Sequence, residues 1–216
     1  MNWISRLERR FPRFGIPNLM LYVVLGQLIC WIGVMFVNAN LYGLLTLSRA
    51  RLLEGQIWRL VTFLLVPPLQ YNPLFVALEL YFLYWIGSAL ERVWGSFRFT
   101  LYVALGIVGA WLACLVVGAA NTSALSYSLF FAFAYLFPNM EVLLFFVLPV
   151  KIKWLGWIAA ALYLVDFLLA SLPMKLALVL GLLGFLVFFG RGGIQRLKDS
   201  YTNYQRRKAW QNQWRQ

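Results

Sequence analysis

The stretch YFLYWIGSALERVWGSFRFT, from Tyr81 to Thr100, decides the fold. An apolar run ends at the charged pair Glu91-Arg92, the chain turns at Gly95-Ser96, and a second apolar run follows. Trp94 is an aromatic residue typical of the headgroup layer, and glycine is the residue that most readily ends a helix and redirects the chain. The stretch therefore predicts two membrane-spanning helices joined by a tight turn.

The composition excludes a water-soluble fold. Hydrophobic residues make up 62% of the chain and charged residues 12%, against roughly half and roughly a quarter in soluble domains. The 216 residues have room for about six spans of about 20 residues and for no separate soluble domain. The net charge of +12 suits basic loops that face anionic lipid on the cytoplasmic side, so we predict no nucleic-acid partner.

We predict three segments: a basic cytoplasmic N-terminal segment (1–17), a membrane domain (18–190) and a basic-aromatic cytoplasmic tail (191–216) that holds anionic lipid or a soluble partner. Residues 38–73 are expected to form short helices in the outer interface. Residues 139–153 are expected to return the chain along the cytoplasmic face. The predicted spans are Asn18–Val37, Leu74–Trp94, Phe99–Ala120, Ser123–Pro138, Trp154–Ser171 and Pro173–Gly190.

The basic residues set the orientation. With a cytoplasmic N-terminus, the inner segments collect 15 of the lysines and arginines and the outer segments collect 4. This asymmetry predicts that both termini lie in the cytoplasm. No organelle signal is evident, so a bacterial inner membrane is the default location.

Small residues mark helix contacts rather than sites. Gly106, Ala110, Cys114 and Gly118 recur every four residues in the third span, and such stripes let helix backbones approach closely in lipid. Cys30 and Cys114 each lie inside an apolar run, where thiols act as small hydrophobic groups. We predict no disulfide, no metal site and no cofactor.

Two motifs carry a resemblance to a known superfamily. The pattern G-S-A-L-E-R-x-W-G-S-x-R-F, from Gly87 to Phe99, is similar to the end of the second span in rhomboids, where Glu91, Arg92, Trp94 and Gly95 would form the structural motif. Trp58-Arg59 resembles the Trp-Arg motif in the first loop of rhomboids and of derlins, their non-proteolytic relatives. The resemblance implies an all-α membrane protein with a six-transmembrane-helix rhomboid-like bundle. Trp58 and Arg59 would either anchor the loop in the headgroup layer or bind a client or lipid.

The catalytic elements of active rhomboids are largely missing. Active members carry G-x-S-G at the start of the fourth span, and the matching residues here are Ala124-Leu125-Ser126-Tyr127. The serine remains, but the chain has no histidine to serve as its general base. A second-span position that supports the oxyanion in active members falls on Glu79, whose negative charge would repel an oxyanion. The resemblance therefore implies a pseudoprotease in which Ser126 is vestigial.

Charged residues within spans warrant a functional hypothesis. Glu79, Asp166 and Lys175 lie within about five residues, or about 8 Å, of the outer ends of their spans, and Ser126 lies at a similar depth. They would either share one water-filled pocket or reach the interface separately. A Ser126–Lys175 dyad would make the chain an atypical intramembrane serine protease. Two neighbouring carboxylates would oppose it, because they stabilise the charged ammonium and a base must be neutral.

The sequence predicts a non-catalytic membrane protein that binds transmembrane segments of other proteins. Derlins and inactive rhomboids, which it resembles, engage clients in quality control or trafficking through a lateral gap between the second and fifth spans. A small-molecule or lipid transporter is a third class, and it would predict internal repeats and helices broken at mid-membrane. The client, the soluble partner and the oligomeric state are left open. The candidate binding residues are Trp58, Arg59, Glu79, Ser126, Asp166 and Lys175.

Overall fold

The structure, a computed structural model, describes residues 8–10, 14–38, 40–66, 72–144 and 148–190. The predicted tail 191–216 lies outside the described residues, as does most of the predicted N-terminal segment. In chain order the helices are α1 (Leu19–Ile32, continued by a π-helical turn, Gly33–Val37), α2 (Asn40–Leu45), α3 (Arg49–Leu53), α4 (Arg59–Thr62, continued by a 3₁₀ turn, Phe63–Leu65), α5 (Pro73–Trp94), α6 (Ser96–Val117), α7 (Ser123–Leu136), α8 (Ile152–Leu169), α9 (Leu172–Gly181) and α10 (Leu183–Gly190). The short strands are β1 (Leu47–Ser48), β2 (Ala119–Ala120), β3 (Glu141–Leu144) and β4 (Leu148–Lys151).

Helix length and composition are those of an all-α integral membrane protein. Within the described residues, four helices are long and apolar enough to cross a bilayer: α1 with its π-helical turn, α5, α6 and α8. The pair α9 and α10 adds a fifth if it counts as one span, although it bends by 58°. Helix α7 is apolar but has only 14 residues, which makes it about 21 Å long against the roughly 30 Å of a hydrocarbon core. The predicted short fourth helix is therefore present.

The turn between α5 and α6 confirms the predicted helical hairpin. Gly95 has φ 79° and ψ 157°, a backbone conformation that essentially only glycine adopts. Glu91 does not simply face water, because its Oε1 accepts hydrogen bonds from Ser96 Oγ (2.7 Å) and from the Asn18 backbone N–H (2.9 Å). Trp94 packs inward rather than only marking the headgroup layer, with its ring 5.2 Å from that of Tyr102. The motif therefore ties the start of α1 to the hairpin turn.

The segment between α1 and α5 folds into the predicted short helices, α2 to α4. Strand β1 pairs with β2, which follows α6, and this pairing fixes the segment against the end of that helix. Beneath it, Leu47 and Phe63 form a buried cluster with Ala110 and Cys114 of α6. The segment is thus a packed layer over α6 rather than a free linker.

Helix α6 lies at the centre of the bundle. It is the most buried of the candidate spans, because 44% of its most apolar 18-residue stretch is buried within the protein. At Gly106 of the predicted stripe, and at Gly109 beside it, a side-chain Cβ would collide with Leu125 of α7 and with the Leu180 carbonyl oxygen of α9. This part of the stripe is therefore a packing seam, whereas Gly118 has open space around it and ends the helix with φ 97°. Tyr102 is fully buried, and its hydroxyl donates to the Ser128 carbonyl of α7 at 2.8 Å.

Two elements differ from the sequence prediction. Residues 139–153 were expected only to run along the membrane face, yet β3 and β4 pair antiparallel, with Glu141 opposite Lys151. The predicted sixth span is bent at Leu182, between α9 and α10. At the bend, the Leu182 N–H donates to the Leu178 and Val179 carbonyls.

Candidate functional site

A cleft of about 460 Å³ opens between α5, α7 and α8. Two helix faces form its walls, and each has the i, i+3, i+4, i+7 spacing that places side chains on one side of a helix. Helix α8 contributes Ala159 and α1 contributes Gln27. The wall on α5 is Glu79, Phe82, Leu83 and Ile86, and the wall on α7 is Ser123, Ser126, Tyr127 and Phe130.

The cleft is polar at one end and apolar at the other. Glu79 and Ser126 lie towards the N-terminal ends of their helices, whereas Ile86 and Phe130 lie further along. Two polar side chains of the lining also tie the cleft to the first loop. Gln27 Nε2 donates to the Leu64 carbonyl at 3.0 Å, and Thr122 Oγ1 donates to the Val66 carbonyl at 3.2 Å. The polar end is therefore held in place by the segment that follows α4.

The cleft is open because α8 is loosely attached. Only 6% of the most apolar 18-residue stretch of α8 is buried within the protein, against 28% of the corresponding stretch of α5. In the described chain, α8 packs on α7, α9 and β4 but not extensively on α5. A bound molecule would thus reach the cleft laterally, between α5 and α8.

The structure brings only some of the predicted pocket residues together. Glu79 and Ser126 line the same cleft. Asp166 instead lines a neighbouring cavity of about 450 Å³ between α8, α9 and the first loop. Lys175 is not among the described residues that line either cavity, and its Nζ lies 5.9 Å from the centre of the Phe167 ring. Among the described residues, Glu79, Asp166 and Lys175 therefore do not share one pocket.

Tyr127 separates the two cavities and lines both. Its ring lies 5.6 Å from that of Tyr163 on α8 and 6.3 Å from that of Phe131. The phenol ring therefore connects α7 to α8.

Ser126 has no hydrogen bond to a general base among the described residues. Its own N–H donates to the Thr122 carbonyl within the helix. A serine hydroxyl is a weak nucleophile unless a base lies within hydrogen-bond reach.

Trp58 and Arg59, predicted as an anchoring or binding pair, behave differently from each other. Trp58 is 51% exposed, whereas Arg59 is fully buried beneath the first loop. The Arg59 guanidinium donates to the carbonyls of Gly43 (2.8 Å) and Thr46 (2.6 Å) and to Gln56 Oε1 (2.8 Å). Arg59 therefore holds the loop together from inside.

The charge of Arg59 persists despite its burial. Desolvation lowers the pKa of the Arg59 guanidinium, Arg51 lowers it further, and Glu54 opposes both effects. Arginine nevertheless stays protonated in proteins. Its second terminal nitrogen, Nη2, is buried without a hydrogen-bond partner in the described structure, so the burial is not fully compensated.

Sequence reasoning missed Gln27 and the dividing role of Tyr127. Gln27 had a signal, because it is the one strongly polar side chain in the apolar helix Leu19–Ile32, and a buried polar group in a span needs a partner. Tyr127 had no such signal. Its position between two cavities follows from the packing of α7 on α8.

No protein-family model matches the chain, and a search of curated proteins finds no significant match.

Proposed function

We propose that the chain is a rhomboid-like pseudoprotease that binds transmembrane segments of other membrane proteins in the cleft between α5, α7 and α8. The observation that carries this proposal is the lateral opening between α5 and α8, which leads from the lipid to a surface that is polar at one end and apolar at the other. A single-span helix has both kinds of surface near its end. The rhomboid relationship itself rests on the Gly87–Phe99 and Trp58-Arg59 patterns.

In this proposal the bundle has six spans. Helix α7 is a short central span shielded by its neighbours, and α9 with α10 is one bent span. A short span favours a locally thinner bilayer, which lowers the cost of holding a helix that carries polar residues. We further propose that both termini are cytoplasmic, that the membrane is a bacterial inner membrane, and that the tail 191–216 binds anionic lipid. A role in quality control or trafficking would follow from selecting poorly spanning clients.

Two adjacent residues of α8 allow a matched test of client binding. Ala159 lines the cleft, whereas Ala160 lines a different cavity of about 700 Å³ between α7, α8 and α10. The full chain, with photoreactive benzoylphenylalanine in place of one or the other, would be reconstituted with a synthetic single-span peptide. We expect peptide crosslinks at position 159 that exceed those at 160 several-fold. Equal crosslinking at the two positions would contradict the proposal.

The protease alternative has its own test. A fluorophosphonate labels an activated serine, so we expect no labelling of Ser126 above the level in a Ser126→Ala chain. Labelling that disappears in a Lys175→Ala chain would establish the Ser–Lys dyad instead. The separation of Lys175 from the cleft that holds Ser126 favours the non-catalytic function.

The 58° bend between α9 and α10 is the one feature that favours a transporter. Broken transporter helices expose unwound backbone groups that bind ions. Here the Leu182 N–H remains paired at the bend, which argues against an ion site at that amide. We therefore place transport below client binding.

A further inference from the structure

Glu79 is the one charged side chain in the lining of the cleft between α5, α7 and α8, as far as the structure describes it. Within the described residues, its carboxylate accepts no hydrogen bond and forms no ion pair. It lies six residues after Pro73, so it is about 9 Å along α5 from the start of the helix. The described lining of the cleft thus contains the Glu79 carboxylate and no basic side chain.

Such an acid is costly and needs a partner. Acidic residues within membrane spans are rare, and they face an interior or a cavity where they pair with another group. Ser126 and Thr122 supply hydroxyl oxygens to the same polar end but no positive charge. A hydroxyl that is not ionised cannot neutralise a carboxylate. The complement that the cleft lacks is a cation.

We propose that Glu79 selects bound transmembrane segments that carry a lysine or arginine about two helical turns inside the same membrane face. The basic side chain would pair with the Glu79 carboxylate and contact the Ser126 hydroxyl, while Phe82 and Phe130 pack on the apolar part of the segment. This inference rests on the proposed client-binding function and specifies the class of client. It requires no chemistry beyond ion pairing.

The geometry also separates this site from other acids. Asp166 lines the neighbouring cavity and is exposed, and Tyr127 lies between the two cavities. A segment held in the cleft beside Ala159 therefore has the Glu79 carboxylate, and not that of Asp166, in the lining around it. An Asp166→Asn chain is accordingly the matched control, because it loses one carboxylate near the cleft without changing the lining.

The test uses the purified full chain with benzoylphenylalanine at position 159, reconstituted in phosphatidylcholine vesicles. Three synthetic helices of one apolar sequence carry Lys, Leu or Glu at the same place near one end. We expect the Lys helix to crosslink about tenfold better than the Glu helix, as close charge pairs discriminate partners on this scale. Glu79→Gln should abolish the preference, Glu79→Lys should reverse it, and Asp166→Asn should leave it unchanged.

The outcomes separate this inference from the function on which it rests. If all three helices crosslink equally at 159, still in excess over 160 and unchanged by Glu79→Gln, then client binding stands and charge selection is wrong. If no helix crosslinks at 159 above 160, both fail. Should the preference vanish only when phosphatidylethanolamine is added, the lipid ammonium is the partner of Glu79 and the inference is overturned. If the Glu79→Lys chain does not fold, the test rests on the nearly isosteric Glu79→Gln chain. Protection of the buried Cys114 thiol from a maleimide would confirm that this chain is folded.

Discussion

Removing the Arg59 guanidinium should release the first loop. Three charge-assisted hydrogen bonds join it to Gly43, Thr46 and Gln56. Each such bond contributes about 1.5–3 kcal/mol, and burial of the cation costs several kcal/mol in return. The difference predicts that Arg59→Met favours loop opening by about 3 kcal/mol.

Cys114 reports that opening directly. Its thiol is fully buried in the cluster with Leu47 and Phe63, so it becomes accessible only when the loop lifts from α6. In a Cys30→Ser background it is the only thiol, because the chain has two cysteines. The rate of reaction with a maleimide then measures the population of the open state.

At 1.4 kcal/mol per factor of ten, Arg59→Met should raise the Cys114 labelling rate roughly a hundredfold. Arg59→Lys keeps the charge but cannot reach all the acceptors with one ammonium, and a rise of about tenfold is expected. Arg51→Met is the control, since Arg51 is an exposed arginine of the same loop whose side chain makes no hydrogen bond within the described residues. A rate for Arg59→Met within threefold of that for Arg51→Met would refute the role of Arg59 as the loop's internal support.

Three further substitutions test the packing of the bundle by thermal unfolding in detergent. Gly109→Val should prevent the approach of α9 and lower the melting temperature by more than 10 °C. The control is Gly190→Ala, which has open space around it and should change the melting temperature by less than about 2 °C. Equal shifts for the two variants would contradict the packing seam at Gly109. Tyr102→Phe should cost about 1–2 kcal/mol because it leaves the buried Ser128 hydroxyl without its partner, and an unchanged melting temperature would show that water replaces the phenol. Gly95→Ala should lower the free energy of unfolding by about 2 kcal/mol, because alanine is strained at a φ of 79°. If the hairpin turn relaxes to relieve this strain, Ser96 should lose its hydrogen bond to Glu91.

The helical hairpin was readable from the sequence. Polar and apolar residues alternate on the scale of whole spans there, and the signals at Glu91 and Gly95 are local. The short helices after α1 were also predictable, because Arg49, Arg51, Glu54 and Arg59 leave no apolar run in that segment long enough to span a bilayer. Such features depend on neighbours in the chain and require no tertiary contact.

The arrangement of the candidate site was only partly predictable. Glu79 and Ser126 were placed at one depth by counting residues from the ends of their spans, and they do share a cleft. Depth does not specify the direction in which a side chain points around its helix. Counting residues therefore could not show that Asp166 and Lys175 lie outside the cleft that Glu79 and Ser126 share. Arg59 was expected near the headgroups, but its acceptors at Gly43 and Thr46 are brought together only by the folded loop. The bend at Leu182 directly follows Gly181, but a glycine inside an apolar run does not by itself distinguish a bend from a close contact between helices.

In the proposed function, the slight attachment of α8 would make the bilayer itself part of the binding site. A helix that meets protein along so narrow a strip is positioned largely by lipid chains pressing on its other sides. Acyl-chain length and order would then set the distance between α8 and α5, and with it the ease of entry. We expect a thicker, more ordered membrane to narrow the entrance and a thinner, more fluid one to widen it, so that membrane composition regulates which helices are admitted.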